Sequence, residues 1–216
     1  MTGPQEERGI ERRTTMKTLS IALLAVAISF FFINDSTAQG KKRKMPSQEE
    51  MMKRWQEAAT PGEYHKAMEK FVGMWETSSK TWMGGPDAPP TESKGSCEMK
   101  WTMDGRFLQQ DFKGEMMGLP FTGFGLTGYD NFKKKYTMFW IDNSGTAMYT
   151  GEGTFDGKVM TLWGKMDDPA AGEKDKKIRY VTTVVDNDKH VFQIFDISGS
   201  GDKKPVVEIT YTRKKL

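Results

Sequence analysis

The sequence predicts a mainly β fold: an antiparallel up-and-down β-barrel of about ten strands, led by two short N-terminal helices. Three observations carry that prediction. From Val72 onward, apolar residues recur at every second position in ten separate runs, the period of a strand. Short turn signals separate most of the runs: Asp104-Gly105, Gly118-Leu119-Pro120, Asn143-Ser144-Gly145, Asp156-Gly157 and Asn187-Asp188. Such connections are too short for crossover helices, so neighbouring strands are antiparallel. Finally, Gly123, Gly125 and Gly128 interrupt a run rich in Phe and Leu, and glycines inside strands mark sharp bends or close backbone approach. An open sheet of ten strands has two edges to hide, and closing it on itself removes both.

The N-terminus reads as an appendage. Arg12, Arg13 and Lys17 precede an uncharged run from Leu19 to Ile33, and the small residues of Ser36-Thr37-Ala38 follow. That is the layout of a secretory signal, with cleavage expected before Gln39. The run is shorter than the roughly 20 residues a spanning helix needs. An N-terminal membrane anchor is the alternative reading. Met16 stands where such a signal would normally start. The expected organisation is a signal region over 1–38, a basic tail and first helix over 39–59, and a barrel domain with its leading helix over 60–216.

The helices come next. Ser47-Gln48-Glu49-Glu50 is a capping box, followed by Met51, Met52 and Trp55 at helical spacing. Thr60-Pro61-Gly62-Glu63 is read as a second box with proline at the first helical position, and Tyr64, Ala67, Met68 and Phe71 supply one apolar face.

Strands are expected over Val72–Trp82, Lys94–Met103, Arg106–Met116, Phe121–Tyr129, Tyr136–Asp142, Thr146–Phe155, Lys158–Met166, Lys177–Val185, Val191–Ile197 and Val206–Arg213. Only 84–90 and 168–176 read as longer loops. The strand at 136–141 carries apolar residues on both phases, so both of its sides need shelter.

Several pieces standing in order also carry a likeness. They are Gly73-Met74-Trp75, the run from Gly105 to Gln110, the run from Gly125 to Asp130, the run from Trp140 to Thr146, and the run from Glu208 to Arg213. Together they resemble domain-of-unknown-function family 1579, a bacterial group, over roughly residues 60 to 215. The resemblance implies a β-barrel-like domain and transfers no catalytic residue. The Gly-x-Trp opening is also similar to the start of lipocalin-like barrels, an analogy of fold.

Composition excludes several function classes. Net charge is only +3 over 216 residues, without the clustered excess of a nucleic-acid binder. The run Lys41-Lys42-Arg43-Lys44 reads as a solvated tail. Cys97 is the single cysteine, so internal disulfides and cysteine-rich zinc sites are excluded. His65 and His190 form no metal-binding spacing and read as exposed polar residues. No nucleophile elbow, phosphate loop or dinucleotide fingerprint occurs. Cys97 reads as a buried structural thiol. No cofactor, metal or catalytic residue is assigned. The methionines, 16 in all, suit irregular apolar space and adaptable pockets better than a copper site.

The functional expectation is an exported barrel that binds a small apolar or amphipathic ligand without catalysis. Trp75, Trp101, Trp140, Tyr149 and Trp163 are the candidate wall of its pocket, and Gln109 and Arg179 the polar anchors. Tyr211 and Arg213 share a face that could hold a carboxylate. Two alternatives stand beside it. One is a filled barrel that self-associates through the strand near Trp140, giving a homo-oligomer. The other is an enzyme using Glu152 or Asp111 as base.

Overall fold

The computed structural model describes residues 45–84, 87–199 and 204–215. The signal-like segment and the basic run at 41–44 lie outside the described residues.

Helix α1 spans Gln48–Ala59. Ser47 caps it, its hydroxyl accepting from the Glu50 N–H at 3.1 Å. Only half of the expected box forms, because the Glu50 carboxylate turns to Arg54 one turn later. None of α1's residues is buried. Its C-terminal carbonyls are claimed from outside: Asn131 Nδ2 donates to Glu57, Ala58 and Thr60, and Arg106 Nε donates to Ala59. These bonds satisfy helix-end acceptors that would otherwise need water.

The second helix starts two residues later than its sequence signal. Thr60 is the C-cap of α1, and its hydroxyl donates to the Gln56 carbonyl. Gly62 caps α2, Glu63–Lys66, with its N–H donating to His65 Nδ1 at 3.1 Å. The chain then tightens into a 3₁₀ turn over Ala67–Phe71 that buries Met68 and Phe71. One turn of α-helix running into 3₁₀ therefore replaces the expected second helix.

Ten strands follow: β1 Gly73–Thr81, β2 Thr91–Thr102, β3 Phe107–Met116, β4 Leu119–Asp130, β5 Lys135–Asp142, β6 Tyr149–Phe155, β7 Val159–Asp168, β8 Glu173–Asp186, β9 Lys189–Asp196 and β10 Val207–Arg213. Each pairs antiparallel with its neighbours in sequence, and β1 pairs with β10 to close the barrel, Trp75 opposite Arg213 and Thr81 opposite Val207. The expected loop at 168–176 is mostly strand, since β7 and β8 extend past a register shift near Met166 and meet at Asp168 and Glu173.

Meander connectivity sorts the turns to two ends. The tight turns after β2, β4, β6 and β8 lie at the end that α2 and the 3₁₀ turn close. The connections after β1, β3, β5, β7 and β9 lie at the other. At the closed end Phe71, Trp75, Tyr136, Phe155, His190 and Tyr211 pack as a dense aromatic floor. Lys70 Nζ donates to the Gly157 carbonyl, and Tyr136 Oη to that of Tyr64, so the cap is bonded to the barrel rim.

Arg213 locks the seam. Its guanidinium donates to the carbonyls of Val72, Lys70 and Asn187 and lies 4.1 Å over the Trp75 ring. An arginine satisfies this site because one planar fork serves several acceptors while its face stacks on an aromatic.

Both histidines depart from their expected exposure. His65 is buried where its ring caps α2 and meets Tyr129 edge-on. His190 is 3 % exposed, stacked on Tyr211 and edge-on to Trp75 and Phe71. His190 follows a tight turn, which suggests solvent, but the β9–β10 register sets it opposite the buried Tyr211, on the inward phase.

Candidate functional site

The barrel is solid near its floor and hollow above it. A cavity of about 360 Å³ runs from Phe71, His190 and Tyr211 up to the loops carrying Met83, Met117 and Ser144, which are exposed to solvent. That volume lies within the range of small-molecule sites.

The walls come from the inward phase of nearly every strand. Seven methionines line the cavity, Met83, Met99, Met116, Met117, Met138, Met160 and Met166, and their unbranched thioether chains let the surface adapt to differing shapes. Leu108, Leu162, Ile194 and Ile209 add aliphatic surface, and Phe112, Phe121, Tyr180 and Phe192 add rings.

The glycines of β4 have a steric reason here. A Cβ at Gly123 would lie 2.1 Å from Trp140 Cζ2, and one at Gly125 2.9 Å from Trp140 Cε3. The Trp140 indole thus lies across a side-chain-free strip of β4. Its Nε1 donates to Asp142 at 2.9 Å, and Phe112 approaches it edge-on. Tyr149 sits opposite Trp140 in the β5–β6 register.

The interior is electrically quiet. Burial pushes the Tyr180 phenol up to about 12 and raises that of Tyr211 further. Burial also lowers His190 to about 3, with the Arg213 charge adding to the effect. Each of these groups is therefore neutral near pH 7. Gln110 Nε2 donates to Tyr211 Oη at 3.1 Å. Tyr180 Oη and Thr77 Oγ1 are buried without a hydrogen-bond partner among the described residues. Among the described residues lining the cavity, the acidic ones are Glu115 and Asp142, both at the open end, and none is lysine or arginine.

Of the candidate residues, Trp140 and Tyr149 line the cavity. Trp75 points inward but lies below it, sealed in the floor at 1 % exposure with its Nε1 donating to the Phe71 carbonyl. Trp101 is tied to the cap by a 2.6 Å bond to Glu69. Trp163 lies on the outer face at 48 % exposure. Gln109 donates to Asp111 in a group that includes Lys100, also on the outer face. Arg179 stacks over Phe195 outside, next to Trp163 in the β7–β8 register. Gln109 and Arg179 therefore lie outside the cavity lining, where Gln110 stands instead, beside Leu108 and Phe112.

The residues of the remaining chemical readings are also placed. Glu152 is exposed and paired with Lys133 and Lys135. The Tyr211–Arg213 clamp does not form, because Arg213 serves backbone carbonyls and Tyr211 stacks on His190. Cys97 is buried and its thiol pushed up to about 12 by desolvation. No group of His, Cys, Asp and Glu suited to a metal ion occurs among the described residues.

Fold and site define a class: a closed ten-stranded antiparallel barrel, plugged at one end and holding an apolar cavity open at the other. Within that class the chain belongs to DUF1579, a family described as proteins of unknown function, whose model matches residues 60–213. Among solved structures, Rv2717c from M. tuberculosis is similar at 14 % identity and a TM-score of 0.50, covering 72 % of this chain and 100 % of its own. A redesigned beta barrel is 15 % identical with a TM-score of 0.38, covering 69 % of this chain and 96 % of its own. At such identities the likeness to Rv2717c concerns the fold. Among curated proteins none matches this chain.

Proposed function

We propose that the barrel is a carrier that takes one small apolar or amphipathic molecule into its cavity and performs no chemistry on it. The observation that supports this most is the cavity of about 360 Å³, lined by methionine, aliphatic and aromatic side chains above a sealed floor. A barrel serving only as a scaffold gains stability from filling its interior, since each void forfeits contact energy. The carboxylates of the enzyme alternative, Asp111 and Glu152, are tied to lysines away from the cavity lining. The N-terminal segment reads as an export signal, and the carrier would act outside the cytoplasm.

Native mass spectrometry of the purified chain, with a panel of fluorescent lipids, tests the reading. The expected result is one molecule per chain, retained from the host or bound saturably. A chain that retains nothing and binds no member of the panel would end it. Sequencing the N-terminus of the protein recovered from its host tests export: a start at Gln39 is expected, and an intact N-terminus in the cytoplasm would contradict it.

A further inference from the structure

We infer that the open end of the cavity is built for a positively charged head group, so that the preferred ligand is a cationic amphiphile such as a long-chain ammonium compound. The inference rests on the carrier reading and adds the ligand's charge to it.

Four observations converge. The Trp140 ring is held against the bare backbone of Gly123 and Gly125 on one side and lines the cavity, so its π-face is turned to whatever enters. Tyr149 lies across from it on β6, and Phe112 and Phe121 stand edge-on to each other in the adjoining wall. An ammonium group is attracted to such faces, most strongly to that of tryptophan. Beside the indole, Asp142 accepts from Trp140 Nε1 and from Ser144, and it makes no ion pair among the described residues. These bonds orient its carboxyl group, and no described lysine or arginine pairs with it.

The lining also selects against the opposite charge. Among the described residues it contains no lysine or arginine, and its second carboxyl side chain, Glu115, is acidic as well. Lys176, opposite the lining residue Met166 in the β7–β8 register, is held by Asp168, Glu173 and Asp196. A carboxylate head at this mouth would meet Asp142 with no cation among the described lining residues to offset the repulsion. An ammonium head would complete both the carboxylate and the aromatic faces while its chain lay among the methionines.

The test compares three probes with one tail, decyltrimethylammonium, decanol and decanoate, titrated into the purified chain below the micelle concentrations of the two ions and the solubility limit of the alcohol. The ammonium is expected to bind about tenfold more tightly than decanol, and decanoate most weakly. Asp142→Asn should lower ammonium affinity by about that factor and leave decanol unchanged, which also shows that the variant is folded. Added salt should weaken only the ammonium. Equal binding of all three, or a preference for decanoate, would overturn the charge assignment and leave the carrier reading standing. Failure of all three to bind would overturn both. A loss of decanol binding in Asp142→Asn would assign that residue a structural role and overturn its part here.

Discussion

Gly123→Ala puts the steric account of β4 to work. The added methyl would sit 2.1 Å from Trp140 Cζ2, where carbon atoms prefer about 3.5–4.0 Å. The indole must therefore shift by more than an ångström, toward the cavity. That movement strains the packing and breaks the Nε1 bond to Asp142. Overpacking and loss of a bond to a charged acceptor together give about 2–3 kcal/mol. For a chain of this size that lowers the melting temperature by about 4–12 °C, read by circular dichroism on heating. Two companions isolate the cause. Gly145→Ala, whose Cβ would meet its nearest atom at 4.0 Å, should change stability by less than about 0.5 kcal/mol. In Trp140→Leu the clash has no partner, so adding Gly123→Ala there should cost clearly less than in the parent. A Gly123→Ala protein as stable as the parent, or additive with Trp140→Leu, would refute the reasoning.

Other outcomes follow from the floor and the cap. His190 is held neutral at about 3 against an ordinary 6.5, so the unfolded chain binds the extra proton first; stability should fall as pH drops from about 6.5 toward 3, by on the order of 1 kcal/mol per pH unit. His190→Phe should flatten that slope in denaturant titrations. Arg213→Ala leaves the Val72, Lys70 and Asn187 carbonyls without their donor and Trp75 without its cation, which should cost about 2–4 kcal/mol in the same titrations. Asn131→Ala should release the end of α1 without unfolding the barrel, seen as faster amide exchange confined to α1. Cys97, buried with its thiol pushed up to about 12, should resist alkylation at pH 8 until denaturant is added.

The barrel was legible because strand period and turn chemistry are local. Asp156-Gly157 and Asn187-Asp188 announce their hairpins, and ten such runs fold only as a meander that closes or leaves edges. The inward phase was less legible. In β8 both phases are apolar, Ile178 and Tyr180 on one and Val181 and Val185 on the other, and sequence alternation cannot choose between them. Register decides it, so Arg179 fell on the wrong side, and in β3 the same ambiguity favoured Gln109 over Gln110. The period-two series Leu108, Phe112 and Met116 carried the signal for Gln110. Burial of the two histidines was not legible either, because it depends on rings from distant strands: Tyr129 for His65, and Trp75 and Tyr211 for His190. Trp140 was legible together with its cause, since the alternate glycines of β4 announce a large group lying across them.

The central claim is that the cavity receives a guest, and calorimetric titration of the purified chain with decanol at several temperatures tests it most directly. Burial of apolar surface predicts saturable one-to-one binding with a negative heat-capacity change, abolished in Met138→Trp, where the larger side chain occupies the space and the barrel still melts cooperatively. An absence of saturable heat in the parent, or unchanged binding in Met138→Trp, would contradict the account.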